Sequence, residues 1–178
     1  MSSVSDTYHL RCIGKPCRVI ESGGKPYLIR IFLDHRDHRD NGGSAQTTYM
    51  HRFVSADAER WLHDHPFNAR SDVLCGGYAE EILTELSHKG PMTETLWRAP
   101  GHDFVISSRT FHRIVSVEPD TWSLFKHGPH LAKGWGFLEW EDDERGPHMR
   151  YHQPFPESNG AHWWEDPDCL RYPPPGVL

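Results

Sequence analysis

In Trp61-Leu62-His63-Asp64-His65-Pro66-Phe67, two histidines stand two residues apart. In an extended segment residues i and i+2 point to the same side, so the spacing predicts that His63 and His65 project together. Two neutral imidazoles side by side are half of a metal site, and their nitrogens suit zinc, copper, iron and nickel. Pro66 stops the segment from continuing as an ordinary central strand. In a chain with 14 histidines a pair of surface histidines is the plain alternative. Some 47 positions beyond His65 a further histidine, His112, opens the β-rich run His-Arg-Ile-Val.

Such residues need a frame, and the chain reads as short strands separated by turns. Lys25 to Leu33 is β-rich and bounded by Gly23-Gly24. Asn41-Gly42-Gly43-Ser44 marks a turn before a strand over Thr47–Val54. Ala56 to Leu62 reads as a helical turn or a loop. Val73-Leu74-Cys75 ends at Gly76-Gly77, and Tyr78 to Leu86 resumes the extended pattern. Strands are expected over Thr93–Arg98, Phe104–Ser107, His112–Val117 and Thr121–Lys126, separated by Pro- and Gly-containing turns. This spacing predicts an all-β sandwich or barrel. No segment carries helical periodicity for three turns, and no internal repeat is visible. Met1 to Thr7 reads as a frayed end. From Gly146 the chain becomes rich in Pro, His and Trp, so the barrel is placed at about residues 8–145. An irregular tail is expected over 146–178, with Trp163 and Trp164 fastening it to the barrel or a second subunit.

At 178 residues the chain fits one domain, and 7 Trp, 8 Phe and 6 Tyr supply core area. The net charge is −6, from 19 basic and 25 acidic residues. The basic residues are interleaved with acids, as in His35-Arg36-Asp37-His38-Arg39-Asp40, which reads as a solvated loop. That is not the basic stripe of a nucleic-acid binder. Cysteines at 12, 17, 75 and 169 form no Cys-x-x-Cys pair, which leaves no zinc ribbon or thioredoxin motif. The absence of an apolar N-terminal region and of a long apolar run predicts a cytoplasmic protein with reduced thiols and no membrane span.

The His-x-His pair with its following glycine turn, and the later strand carrying one histidine, resemble the two motifs of the cupin superfamily. In that resemblance His63 and His65 match the paired ligands, Gly76 the turn glycine and His112 the ligand of the second motif. His65-Pro66-Phe67, Gly76-Gly77-Tyr78-Ala79-Glu80 and Trp135-Gly136-Phe137 are similar to a group of small cupin-like proteins, over about residues 47–140. The resemblance implies a single cupin-type jelly-roll β-barrel holding a divalent metal ion, and cupins often pair edge to edge, so a homodimer is expected.

One departure matters. Ala69, with Arg70 beside it, stands where most cupins place a glutamate ligand, and neither can coordinate a cation. The site is therefore three histidines or recruits another carboxylate. Glu80 is the leading substitute, ahead of Asp72 and Glu81, while plain solvated strand residues are the alternative reading of Glu80 and Glu81. Asp64 and Asp103 are candidates for orienting a histidine from behind. Tyr78 and Arg109 are candidate substrate contacts, and Cys75 shares the strand parity of the missing ligand. His127 and His130 read as loop residues, and His51 and His102 as possible pocket residues. Trp122, Phe125, Trp135, Phe137 and Trp140 read as core or interface.

Three imidazoles leave coordination positions open for water, oxygen or a chelating substrate. The resemblance adds that three-histidine iron sites occur among dioxygenases. The leading expectation is a non-haem iron(II) dioxygenase acting on a small polar molecule. Zinc, manganese or nickel would instead suit a non-redox isomerase, epimerase or lyase. A barrel that binds a small ligand without chemistry is the third reading.

Overall fold

The computed structural model describes residues 7, 8, 12, 15, 17–22, 25–33, 47–57, 61–87, 89–144 and 146–153. Its regular elements are strands: β1 (Cys17–Ser22), β2 (Lys25–Phe32), β3 (Thr47–Phe53), β4 (Leu62–His63), β5 (Ala69–Cys75), β6 (Tyr78–Ser87), β7 (Gly90–Arg98), β8 (Asp103–Ile106), β9 (His112–Val117), β10 (Trp122–His127), β11 (Phe137–Asp143) and β12 (Gly146–His152). They form two antiparallel sheets. One runs β1-β2-β3-β10-β5-β8 and the other β12-β11-β4-β9-β6-β7. Apart from the β6–β7 hairpin, consecutive strands from β3 to β11 cross from one sheet to the other. That alternation makes the double-sheet jelly roll expected from the sequence. No helix among the described residues is long and apolar enough to cross a membrane.

At β2, β3 and β10 the first sheet is buried on both faces, which explains why apolar residues of β2 fall on both of its sides. Ile29 and Ile31 face outward beneath Tyr8 and Cys12, packed on Met50 and the fully buried Trp122. Leu28 faces the other way and packs with Phe53, Val73 and Tyr78. Phe32, Tyr49, Phe67, Ala69, Ile106 and Phe125 extend that inner layer. Along β3 and β10 the inward set is therefore Tyr49, His51, Phe53 and Ser123, Phe125, His127, with Met50, Arg52 and Trp122 outward.

Glycine is required at the turn between β5 and β6. Gly76 has φ +67, and a Cβ there would stand 2.7 Å from the Thr121 Cα. The Thr121 hydroxyl accepts from the Gly77 amide at 3.0 Å and lies 2.7 Å from the Glu118 carbonyl, locking this turn to the one before β10.

Several expectations are corrected here. Regular structure continues past residue 145, because Gly146 (φ +80) turns the chain back and Pro147 sits on an edge strand, where no ladder hydrogen bond is lost. The remainder of the expected tail, Trp163 and Trp164 included, lies outside the described residues, as do the 35–40 charged run and the 41–44 turn. β1, β4 and β11 are additional strands, and β5 starts at Ala69 rather than Val73. Cys75 faces the outer layer beside Trp122 rather than the interior. A bulge explains this: Trp122 pairs with Cys75 but Ser123 with Val73, so strand parity shifts between them. Cys17 is disulfide-bonded, against the expected set of reduced thiols, because spacing alone cannot reveal which cysteines a fold brings together.

Candidate metal centre

The cluster is built on a two-residue strand. β4 lies between β11 and β9, and His63 is the register partner of both Phe137 and His112. The ladder thus sets two imidazoles side by side, with ring centroids 4.9 Å apart. His65, on the same side two residues on, brings its ring to 5.3 Å from His63 and 5.1 Å from His112. One nitrogen from each of the three rings lies within 4.8 Å of the others. His63 and His112 are each 6% exposed and His65 is half-buried, so the cluster has one open side.

Nε2 of His65 and Nε2 of His112 are 2.9 Å apart. Two ligand nitrogens at right angles on an ion, each about 2.0–2.1 Å from it, stand about that far apart. The donor set therefore fits a first-row divalent cation, to be held by His63, His65 and His112.

Behind His112 sits Glu80, 2% exposed. His112 Nδ1 donates to Glu80 Oε1 at 2.5 Å, and Arg98 Nε donates to Oε2 at 2.7 Å. Burial opposes ionisation of Glu80, but the hydrogen bond from His112 and then the charge and hydrogen bond of Arg98 outweigh it and hold its pKa below the usual carboxylate value. An ionised carboxylate only accepts, so it keeps the proton on Nδ1 and turns the Nε2 lone pair toward the cluster. Both Glu80 oxygens are engaged in this way. Glu80, weighed as a fourth ligand, stands instead where it orients His112.

The remaining candidates are dispersed. Tyr78 lies in the apolar layer, its ring 4.9 Å from Phe53, and burial pushes its hydroxyl pKa far up. Arg109 is exposed on the turn after Ser107. Asp64 points away from the histidines: it accepts from the Gly136 amide at 2.8 Å and pairs with Lys133, pinning the loop before β11. Asp103 and Asp72 pair with Arg70 on the outer surface, the latter at 3.6 Å. Glu81 pairs with Arg113 and accepts from Thr93 at 2.8 Å. His102 and His130 are exposed.

His127 is no loop residue. It ends β10, is 3% exposed, and stacks on Phe67 at 4.1 Å with Nε2 3.0 Å from the Tyr49 hydroxyl. Phe67 in turn stacks on His65 at 5.3 Å. His51 stacks on Phe125 at 4.8 Å, and Phe125 lies 6.5 Å from His65. Burial, then the charges of Arg30 and His127, lowers the pKa of His51 well below the ordinary histidine value, so its ring is neutral. The wall opposite the cluster is thus aromatic and polar, and includes Arg30. The signal for it was in the sequence: Leu28, Arg30 and Phe32 alternate on one face of a strand, which places a charge among inward apolar residues.

No family model matches this sequence and no curated protein matches it. Solved structures with a similar course of the backbone include Fe(II)-HppE with the alternative substrate (S)-1-HPP, at 11% identity and TM-score 0.47, covering 65% of this chain and 56% of that one. Oxalate decarboxylase from Bacillus subtilis at pH 4.6 has 13% identity and TM-score 0.48, covering 70% and 30%. KdgF from Halomonas sp. has 18% identity and TM-score 0.41, covering 64% and 94%. The chain thus spans 56% of the first of these structures and less than a third of the second. The likeness concerns the backbone, and the residues of the centre are assigned from their own geometry.

Proposed function

We propose that this chain is a metal-dependent enzyme, a non-haem iron dioxygenase acting on a small polar molecule through His63, His65 and His112. The convergence of three imidazoles inside the barrel, with no carboxylate among them, is the observation that carries this reading. Bound iron(II) would supply oxygen activation at the positions that the three nitrogens leave open. The chain's own residues do the rest. Glu80 holds the proton on His112 Nδ1 and so fixes the ring, and Arg98 holds Glu80. Phe67 and Phe125 line the side facing the first sheet and restrict water there. The non-redox alternative needs a residue free to shuttle a proton. The engagement of Glu80 and the packing of Tyr78 in the apolar layer favour the redox reading over that alternative.

The test is elemental analysis of untagged protein and of its His112→Ala variant, followed by oxygen-uptake assays on the iron-loaded form. Near-stoichiometric iron, lost in the variant, with oxygen consumption in the parent, is expected. A wild type that retains zinc, manganese or nickel and consumes no oxygen would sink the dioxygenase reading. An active His112→Ala protein would sink the site.

A further inference from the structure

Arg30 is a half-buried guanidinium on the inward face of β2, opposite His51 of β3 in the ladder. Its contacts are uncharged. Nε donates to His51 Nε2 at 3.4 Å, and the guanidinium carbon lies 4.8 Å above the Tyr49 ring. Among the described residues no carboxylate stands within ion-pair distance of it. Arg18, opposite Arg30 on β1, engages a partner of its own. An arginine has five N–H donors, so the outer fork of Arg30 remains available after the bond to His51. A cation held in a partly dry site without a counter-ion is costly, and an arriving anion offsets that cost.

A second observation lies on the same wall. Ser123 is the β10 register partner of His51, and its side chain is 0% exposed. Its hydroxyl oxygen has no hydrogen-bond partner among the described residues. A buried hydroxyl of this kind is costly unless a ligand completes it. From this wall His51 leads through Phe125 to His65, by ring contacts of 4.8 and 6.5 Å.

The geometry points to a carboxylate-binding wall on the inner face of the first sheet, where Arg30, with Ser123 and His51 beside it, receives the carboxylate of an organic acid substrate whose other end reaches the histidine cluster. The planar fork of an arginine matches a planar carboxylate with two parallel hydrogen bonds. The local charges favour the same class. Arg30 supplies a fixed positive charge beside a neutral His51, and Arg18, its neighbour on that face, already engages a partner of its own, so a single planar carboxylate is the group that the Arg30 fork matches. This deepens the metal-enzyme reading and rests on it for the position of the reacting end, but carboxylate capture by Arg30 has a readout of its own.

The experiment is titration calorimetry on the full-length protein, iron-loaded and chelator-treated. The probes are acetate, succinate and glutarate, their amides acetamide, succinamide and glutaramide, and inorganic phosphate. At least one acid is expected to bind both forms while its amide does not. Arg30→Gln should weaken that binding about tenfold or more, as expected for a lost charge-assisted pair, and leave metal content unchanged. Ser123→Ala should weaken it about threefold, and Arg30→Lys should recover part of what Arg30→Gln loses. Circular dichroism checks that the variants fold, and Ser123→Ala carries the test if Arg30→Gln does not. Absence of acid binding to wild type, equal binding in all variants, or tighter Arg30-dependent binding of phosphate than of any acid would each overturn the inference. Arg30-dependent acid binding in a wild type that retains no metal would uphold it while the dioxygenase reading fails.

Discussion

His112 and Glu80 are joined by a 2.5 Å hydrogen bond on the side of the imidazole away from the cluster, and Arg98 holds the same carboxylate from the other oxygen. The pair is built into adjacent strands: His112 faces Ile82 across the β6–β9 ladder, and Glu80 lies two residues along β6. A nitrogen of the candidate centre is thus fixed in direction by the sheet itself. Orientation of this kind is worth about 10–100-fold in metal affinity. Glu80→Gln should therefore lower metal affinity by about that factor while the fold persists, measured by competition with a chromophoric chelator. Unchanged affinity would assign Glu80 a purely structural role.

Asp64 stands between two cluster histidines in sequence yet pins the loop before β11. Asp64→Ala should cost about 2 kcal/mol of stability through the lost Gly136 amide bond and the Lys133 pair. The metal affinity should change by less than in Glu80→Gln. Chemical denaturation and chelator competition on the two variants separate the roles, and a larger affinity loss in Asp64→Ala would reverse them.

His51 gives the protein a pH dependence of defined sign. Its folded pKa lies well below 6.5, chiefly from burial and then from Arg30 and His127. Above 6.5 both folded and unfolded chains carry it neutral, so nothing is gained or lost there. As pH falls below that value the unfolded chain takes up a proton that the folded chain refuses, and stability falls. The Tm should decline between pH 7 and pH 5, and less steeply in His51→Gln. Equal slopes in the two proteins would remove His51 as the cause.

Gly76→Ala should be strongly destabilising. The residue is held at φ +67, and the added methyl would meet the backbone of Thr121. Strain of this kind costs about 2 kcal/mol or more, a fall of about 4–8 °C in Tm for a chain of this size. A thermal melt within 1–2 °C or so of wild type would show that the turn can relax.

Removal of the ion should itself be visible as a stability change. Ligand present at about 100 times its Kd adds about 2.7 kcal/mol. Chelator-treated protein should therefore melt lower than metal-loaded protein, and His63→Ala should melt alike in both conditions. A chelator effect that survives in His63→Ala would place the ion elsewhere.

The pattern of turns and β-branched residues was enough to place β2, β3, β6, β9 and β10 within a few residues, because each alternates cleanly or ends at glycine. β4 escaped because two residues have no periodicity, and β11 because Glu139, Glu141, Asp142 and Asp143 make it read as a polar loop. The three histidines were legible since their spacing is local or ends a recognisable strand. The role of Glu80 was only half legible. Its side of the strand follows from the sequence, but whether a carboxylate reaches the ion or backs a histidine depends on cross-strand register. Tyr78 shares the parity of Glu80 and still lies in apolar packing, since parity says nothing of position along the barrel. Cys75 was misplaced by a single bulge.

β4 has a consequence for how the centre would breathe. It is held by only two registered pairs to β11 and one to β9, yet it carries His63. A strand this short adds little cooperativity, so its backbone amides should exchange with solvent earlier than those of β9 and β6 beside it. An ion bridging His63 to His112 would fasten the seam. Deuterium uptake at Leu62 and His63 should then slow on metal loading, so that occupancy of the centre is recorded in the backbone.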